Sequence, residues 1–326
     1  MKAIVYRNYG LPEVLKCEEV EKPVPKDDEV LIRVRAASAN PADLGFRGTS
    51  YIVRMMMTGL RKPKNTRIGS DVAGEVEAVG RDVTQFKPGD EVFGICRGAF
   101  AEYVCASESA VVMKPDNVTF EQAASVPVAA FTALQGLRDK GQIRSGQRVL
   151  INGAAGGVGT FAVQIAKWFG ADVTGVCSKR NLEMVRSIGA DRVIDYTQED
   201  FTKDTQRYNL IFDCAGNRSL SACRRVLSPK GICVLVGAPS KVWLILIRVI
   251  TALVWSRFIS QRFVVFIAKR NKEDLVIMHD LMKAGKVVPV IDRRYSLSEV
   301  PEAMGYLEER HARGKIVIVL GNSNRT

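Results

Sequence analysis

Arg148-Val149-Leu150-Ile151-Asn152 runs without a break into Gly153-Ala154-Ala155-Gly156-Gly157-Val158-Gly159, and Val158–Phe169 (VGTFAVQIAKWF) follows. The first run is short and apolar, as a buried strand requires; the last has the composition and length of a helix. A glycine string between such a strand and such a helix has a specific physical use. Gly156 lets the backbone come close to a diphosphate, and Gly159 lets the helix pack tightly on the strand. The first helical turn offers unpaired N–H groups and a partial positive charge to the anion. Ala155, Gly156, Gly157 and Val158 are therefore expected to cradle the diphosphate of a dinucleotide. Ala154 stands where the first glycine of G-x-G-x-x-G usually sits, and the competing reading is a tight turn that holds no ligand.

The next strand, Ala171–Cys177, ends in Gly175-Val176-Cys177-Ser178-Lys179-Arg180. NAD sites place an acid about 20 residues beyond the turn, on the ribose 2′-hydroxyl. No acid stands at this strand tip. A hydroxyl at Ser178 and cations at Lys179 and Arg180 suit a 2′-phosphate, so NADP(H) is the expected cofactor. Solvated loop charges are the alternative. Strands and helices keep alternating: a helix at Asn181–Ile188, then strands at Arg192–Ile194, Leu210–Asp213 and Ile232–Val236. That order predicts a parallel sheet with right-handed crossovers. Asn217 follows the Leu210–Asp213 strand, at the carboxyl end where ligands of α/β sheets collect. Gly237 follows the next strand and is expected to let the backbone approach a nicotinamide.

Toward the N-terminus the pattern changes. Glu29–Arg35 (EVLIRVR) alternates in polarity, Val72–Val79 does the same, and Lys87-Pro88-Gly89-Asp90 is turn chemistry leading into Glu91-Val92-Phe93. Many short strands with Gly/Pro punctuation predict a small β-rich domain. Phe120–Asp139 is read as helix. Near the C-terminus Glu273–Ala284 is a helix stopped by Gly285, and strands at Val287–Ile291 and Lys315–Leu320 flank a helix around Val300–Glu309. A length of 326 residues suits two domains of roughly 150. Seven cysteines, odd in number and without a CxxC pair, fit a reducing compartment, and MKAIVYRNYG lacks the apolar region of a signal peptide. A cytoplasmic location is the expectation. With only His279 and His311 present, a His-rich metal site or a Ser-His-Asp triad has little to draw on.

The chain resembles the medium-chain dehydrogenase/reductase superfamily, and within it the zinc-free quinone oxidoreductase-like branch. The resemblance covers nearly the whole chain. It rests on MKAIVY at the N-terminus, Ala36–Asp43 (AASANPAD), Gly69–Val76 (GSDVAGEV), Phe86–Val92 (FKPGDEV), the AAGGVG turn, Gly189-Ala190-Asp191 with Asp195-Tyr196, and Gly314-Lys315-Ile316-Val317. It implies an α/β fold: a doubly wound Rossmann sheet in residues 123–270, and a GroES-like β-rich catalytic domain assembled from residues 1–122 and 271–326. Zinc-dependent members carry Cys where this chain has Asn40, and Gly-His-Glu where it has Gly69-Ser70-Asp71, so no metal residues are assigned. Without thiolate or imidazole ligands at tetrahedral spacing, zinc binding is not expected. The resemblance implies hydride transfer from NADPH to a small lipophilic quinone or α,β-unsaturated carbonyl, whose product anion spreads its own charge. It places Asn40 as a donor to the substrate carbonyl, with turn capping before Pro41 as the alternative, and Tyr51 as a phenolic donor or an apolar lid residue. Asp43 matches a recurrent position. Thr132 resembles the residue near the nicotinamide amide, and Tyr196 one that contacts the adenosine phosphate. A zinc-free alcohol or carbonyl dehydrogenase is the alternative within enzymes, and a membrane-associated nucleotide-binding protein with little turnover is the alternative outside them.

The net charge of +12 is unevenly placed. Between Asp213 and Glu273 there is no acid, and that stretch holds eleven Lys and Arg. It also carries Lys241–Trp255 (KVWLILIRVITALVW), interrupted by Arg248 too early for a spanning helix. Three readings stay open: an interfacial helix touching anionic membrane, a helix between subunits with Phe263–Ala268 (FVVFIA) as the edge strand of a homodimer, or the wall of a lipophilic pocket. A homodimer is the expected assembly. Nucleic acid is not an expected partner, since the bases interleave with aliphatics and no recognition motif accompanies them.

Overall fold

The computed structural model describes residues 1–47, 63, 66–237, 242–309 and 311–321. The chain divides into two compact units. One comprises Met1–Val128, Arg270–Gly285 and Pro289–Thr326; the other comprises Ala129–Lys269 with Lys286–Val288.

The first unit opens with the hairpin pair β1 (Lys2–Val5) and β2 (Lys16–Glu19), followed by β3 (Glu29–Ala39), β4 (Asp71–Val79), β5 (Glu91–Ile95), β6 (Tyr103–Ser107) and β7 (Val111–Met113). β3 alternates in polarity at its start and is almost wholly buried from Ala36 to Ala39. It can be, because it pairs antiparallel with β4 along its length and with β6 at one end. Those ladders take up most of its backbone donors and acceptors. The stretch expected to be one helix, Phe120–Asp139, is two helices and a wider last turn. α1 (Phe120–Ala124) is closed by a Thr119–Gln122 capping box and ends at Ser125. α2 (Pro127–Gln135) restarts on a proline, which lacks the N–H that a continuing helix would need but serves well at a first position. Gly136–Lys140 then forms a π turn.

The second unit is built on six strands: β8 (Arg148–Asn152), β9 (Asp172–Cys177), β10 (Arg192–Asp195), β11 (Tyr208–Asp213), β12 (Leu227–Leu235) and β13 (Arg262–Val265). All neighbours pair parallel, in the order β10-β9-β8-β11-β12-β13. This is the doubly wound Rossmann order, with its reversal point between β8 and β11. The helices α3 (Gly157–Trp168), α4 (Leu182–Ser187), α5 (Leu220–Val226) and α6 (Val242–Phe258) alternate with the strands. Leu150, Val176, Tyr208, Ile211 and Phe263 belong to one buried cluster in this unit.

The chain then returns to the first unit through α7 (Lys272–Lys283), β14 (Ile291–Ser296), α8 (Val300–Glu308) and β15 (Lys315–Val319). The strand expected at Val287–Ile291 begins only at Ile291, because its pairing to β15 starts there. β15 pairs antiparallel with β3, so the chain's end closes the seven-stranded sheet of a GroES-like domain.

Candidate active site

In the second unit, Val176 at the end of β9 fixes the glycine turn. Its carbonyl accepts the N–H groups of Gly153 (3.1 Å) and Ala154 (3.0 Å), folding the turn back across the sheet's reversal point. The glycines then divide by cause. A Cβ at Gly159 would lie 2.1 Å from the Gly153 carbonyl oxygen, so the helix can approach its strand only with glycine there. A Cβ at Gly156 would meet nothing nearer than that same oxygen at 3.5 Å. The space beside Gly156 is therefore open to a ligand. The first intrahelical bond of α3 runs from Thr160 N–H to Gly156 O at 3.0 Å, and no side chain caps the helix. The N–H groups of Gly157, Val158 and Gly159 precede that bond and face out of the helix end. A diphosphate fits this donor set.

Ser178, Lys179 and Arg180 sit at the tip of β9, with both cations exposed. Ser178 accepts from Asn181 Nδ2 at 3.1 Å, which steadies the turn. Tyr196, at the tip of neighbouring β10, donates its backbone N–H to Cys177 O at 3.0 Å and leaves its residue 49% exposed. Asp195, beside it, turns its carboxylate to the N–H and hydroxyl of Thr197. The strand tips thus gather Ser178, Lys179, Arg180 and Tyr196 without aiming a carboxylate from β9 at them. Thr132 lies half-buried on α2.

A buried hub lies behind the turn. Asp213, fully buried, accepts from Asn152 Nδ2 at 2.8 Å and from the Gly216 N–H at 2.9 Å, and pairs with the Arg248 guanidinium. Asn152 Nδ2 also donates to Asn217 Oδ1 at 3.0 Å, so Asn217 helps to hold this loop. Arg248 reaches on to the carbonyls of Gly216 (3.0 Å) and Arg218 (2.9 Å). The arginine that breaks the apolar run is therefore turned inward. Gly237 has a steric reason other than room for a nicotinamide: a Cβ there would fall 2.2 Å from Cys214 O.

The first unit holds a second polar cluster, at the end of β3. Asn40 is buried, and its amide is engaged on both sides. Nδ2 donates to Asp71 Oδ2 (2.9 Å) and to the Ser38 carbonyl (3.4 Å), while Oδ1 accepts from Lys315 Nζ at 2.6 Å. Asn40 thus spends its polar atoms within the chain instead of presenting its amide as a free donor to a carbonyl. Asp43, also buried, accepts from the Asn40 N–H (2.8 Å) and from the Ser70 hydroxyl (3.1 Å). Burial pushes the Asp43 carboxyl up to about 6, and the nearby negative charge of Asp71 adds to that. Ser38 Oγ donates to Asp71 at 2.8 Å, and the other Asp71 oxygen accepts the Val128 N–H at 3.0 Å. Burial also lowers the Lys315 ammonium, opposed by the charges of Asp71 and Asp43. Tyr51 lies outside the described residues.

Lys315, Asp71 and Ser38 were not among the residues picked out from the sequence. The signal for Lys315 is a cation heading an otherwise apolar strand, KIVIV, fully buried at that end. Pairing of Ile316 with Ala39 then sets it beside Asn40. The cluster offers an amide at Asn40 and hydroxyls at Ser38 and Ser70, which are poor donors for zinc.

Residues 26–116 match the family model for the alcohol dehydrogenase GroES-like domain, and residues 188–318 match a model described as zinc-binding dehydrogenase. A 2-methylene-furan-3-one reductase of Solanum lycopersicum is 35% identical, covering 98% of this chain and 79% of that protein. A chloroplastic NADPH-dependent alkenal/one oxidoreductase of Arabidopsis thaliana is 34% identical, again over 98% and 79%. The structure of a quinone oxidoreductase from Coxiella burnetii superposes with a TM-score of 0.86 at 32% identity, covering 98% of this chain and 99% of that one. Two family models, relatives matched over 98% of this chain and a shared fold agree: the chain belongs to the medium-chain dehydrogenase/reductase superfamily, in its quinone oxidoreductase-like branch.

Proposed function

We propose that this chain reduces a small lipophilic quinone or α,β-unsaturated carbonyl with NADPH and without zinc. The observation that carries the reading is the open space at Gly156, set against an uncapped helix N-terminus at the sheet's reversal point. The N–H groups of Gly157, Val158 and Gly159 would hold the diphosphate. Ser178, Lys179 and Arg180, with Tyr196 alongside, would hold the 2′-phosphate. When bound, NADPH supplies the hydride. Relatives named as quinone and alkenal/one oxidoreductases support this substrate class.

Such a substrate asks for orientation and hydrogen-bond donors more than for a Lewis acid, since an enolate or quinol anion delocalises its charge. Lys315 supports the zinc-free reading, because its ammonium already serves the Asn40 amide and the Asp71 carboxylate. Asn40 and Asp43 act in this reading as positioning residues. The role of Tyr51 as phenolic donor rests on the sequence alone.

The test is NADPH consumption, followed by absorbance, against quinones, enals and simple ketones. Turnover of quinones or enals is expected, with NADPH preferred over NADH. Turnover of simple ketones alone would defeat the enone reading, and failure of calorimetry to detect either nucleotide would remove the oxidoreductase assignment.

A further inference from the structure

The stretch without acids forms a surface of definite shape. Along α6, Ile247 is 52% exposed, Ile250 60%, Val254 47% and Phe258 83%. Their spacing of three, four and four residues places them on one helix face. Arg248, the charge that could have interrupted this face, is turned inward onto Asp213. No helix among the described residues is long and apolar enough to cross a membrane.

Where α6 ends, the charge changes. Arg224 lies over the Trp255 ring at 5.8 Å, one turn before Phe258, and bonds to Gln261 just beyond it at 3.3 Å. Arg207, Arg224 and Arg225 line an open hollow of about 580 Å³ with Ser221 and Gln261, and no carboxylate lines it. An apolar stripe therefore runs into a cluster of guanidinium groups.

We propose that this face docks on an anionic phospholipid surface. The arginines of the hollow meet lipid phosphates, for which a planar guanidinium is well matched, and Phe258 with the stripe settles at the headgroup–acyl boundary. Charge decides between this occupant and a second copy of the chain. The stretch from Cys214 to Lys272 holds eleven Lys and Arg and no acid, so the same surface of a second copy offers these arginines no carboxylate. A negatively charged bilayer complements both parts of the surface.

The experiment is co-sedimentation of the full-length protein with vesicles of phosphatidylcholine alone, and of phosphatidylcholine mixed with phosphatidylserine, at low and high salt. Binding to the mixed vesicles at low salt is expected, weakened by salt and absent on the neutral ones. The Arg224→Glu/Arg225→Glu variant and the Phe258→Ser variant should each lower partitioning about tenfold or more, with unfolding temperature and NADPH affinity retained. Failure to bind the mixed vesicles at low salt, or equal binding by the variants, overturns the proposal. So does a dimer in ultracentrifugation that Phe258→Ser converts to monomer while vesicle binding stays unchanged.

Discussion

Lys315 and Asn40 stand 275 residues apart in the chain, and the ammonium of one donates to the amide oxygen of the other over 2.6 Å. That bond ties the last strand of the first unit to the end of β3, and it sets which way the Asn40 amide faces. With Oδ1 committed to a donor, Nδ2 is left to meet Asp71. The same ammonium lies 3.5 Å from Asp71, so one cation serves both an amide and a buried carboxylate.

Removing that cation leaves the Asp71 carboxylate buried without a charged partner. Lys315→Met should cost about 3–5 kcal/mol in urea unfolding. The double variant Lys315→Met/Asp71→Asn should recover about half of that or more, since no lone charge remains. Additive losses in the double-mutant cycle would show that the pair does not couple.

Asp43 gives a pH signature with a definite sign. Its carboxyl is held higher in the folded chain, at about 6, than the 3.8 of an ordinary aspartate. The folded chain therefore binds this proton more tightly. The stability from Asp43 is full below about pH 4 and is lost as the pH rises to about 6. The loss is at most about 3 kcal/mol for a shift of roughly two units. Asp43→Asn should flatten the stability curve across that window; parallel curves for the two proteins would refute the account.

Two glycines three residues apart should respond differently to the same change. Gly159→Ala drives a methyl to 2.1 Å from a backbone oxygen, so both unfolding temperature and NADPH affinity should fall. Gly156→Ala meets no such obstacle within the chain. It should keep the wild-type unfolding temperature within a few degrees yet weaken NADPH by about tenfold or more, through the steric demand of the diphosphate. Equal effects of the two changes on folding would contradict the division drawn between them.

The exposed cations at the tip of β9 should set the choice of cofactor. Lys179→Ala and Arg180→Ala should each weaken NADPH about tenfold, as expected for loss of a charge-assisted contact. NADH affinity should stay within about twofold, because it has no 2′-phosphate to lose. Calorimetric titration of both nucleotides provides the comparison, and a parallel loss of both would move these residues out of the 2′-phosphate site.

Legibility followed the range of the interactions concerned. The glycine turn could be read because strand, turn and helix are adjacent in sequence and each glycine has a local reason. Tyr196 was reached only through family resemblance, and it comes beside Cys177 because β9 and β10 pair in register. Lys315 and Asp71 stood in the sequence only as parts of family motifs, since a lysine in a strand and an aspartate after a serine carry no local mark of their meeting. Arg248 was misleading in the other direction: read along the chain it breaks an apolar run, whereas folded it anchors the helix to Asp213.

What the sequence determined alone was the parallel α/β core and its glycine turn, because apolar period, glycine placement and helix polarity act over a few neighbouring residues. The tertiary structure decided which polar groups neutralise one another in the interior. Pairing of β15 with β3 and packing of α6 on the carboxyl end of β11 bring together charges from distant parts of the chain, and a buried charge is tolerated only where such a partner arrives.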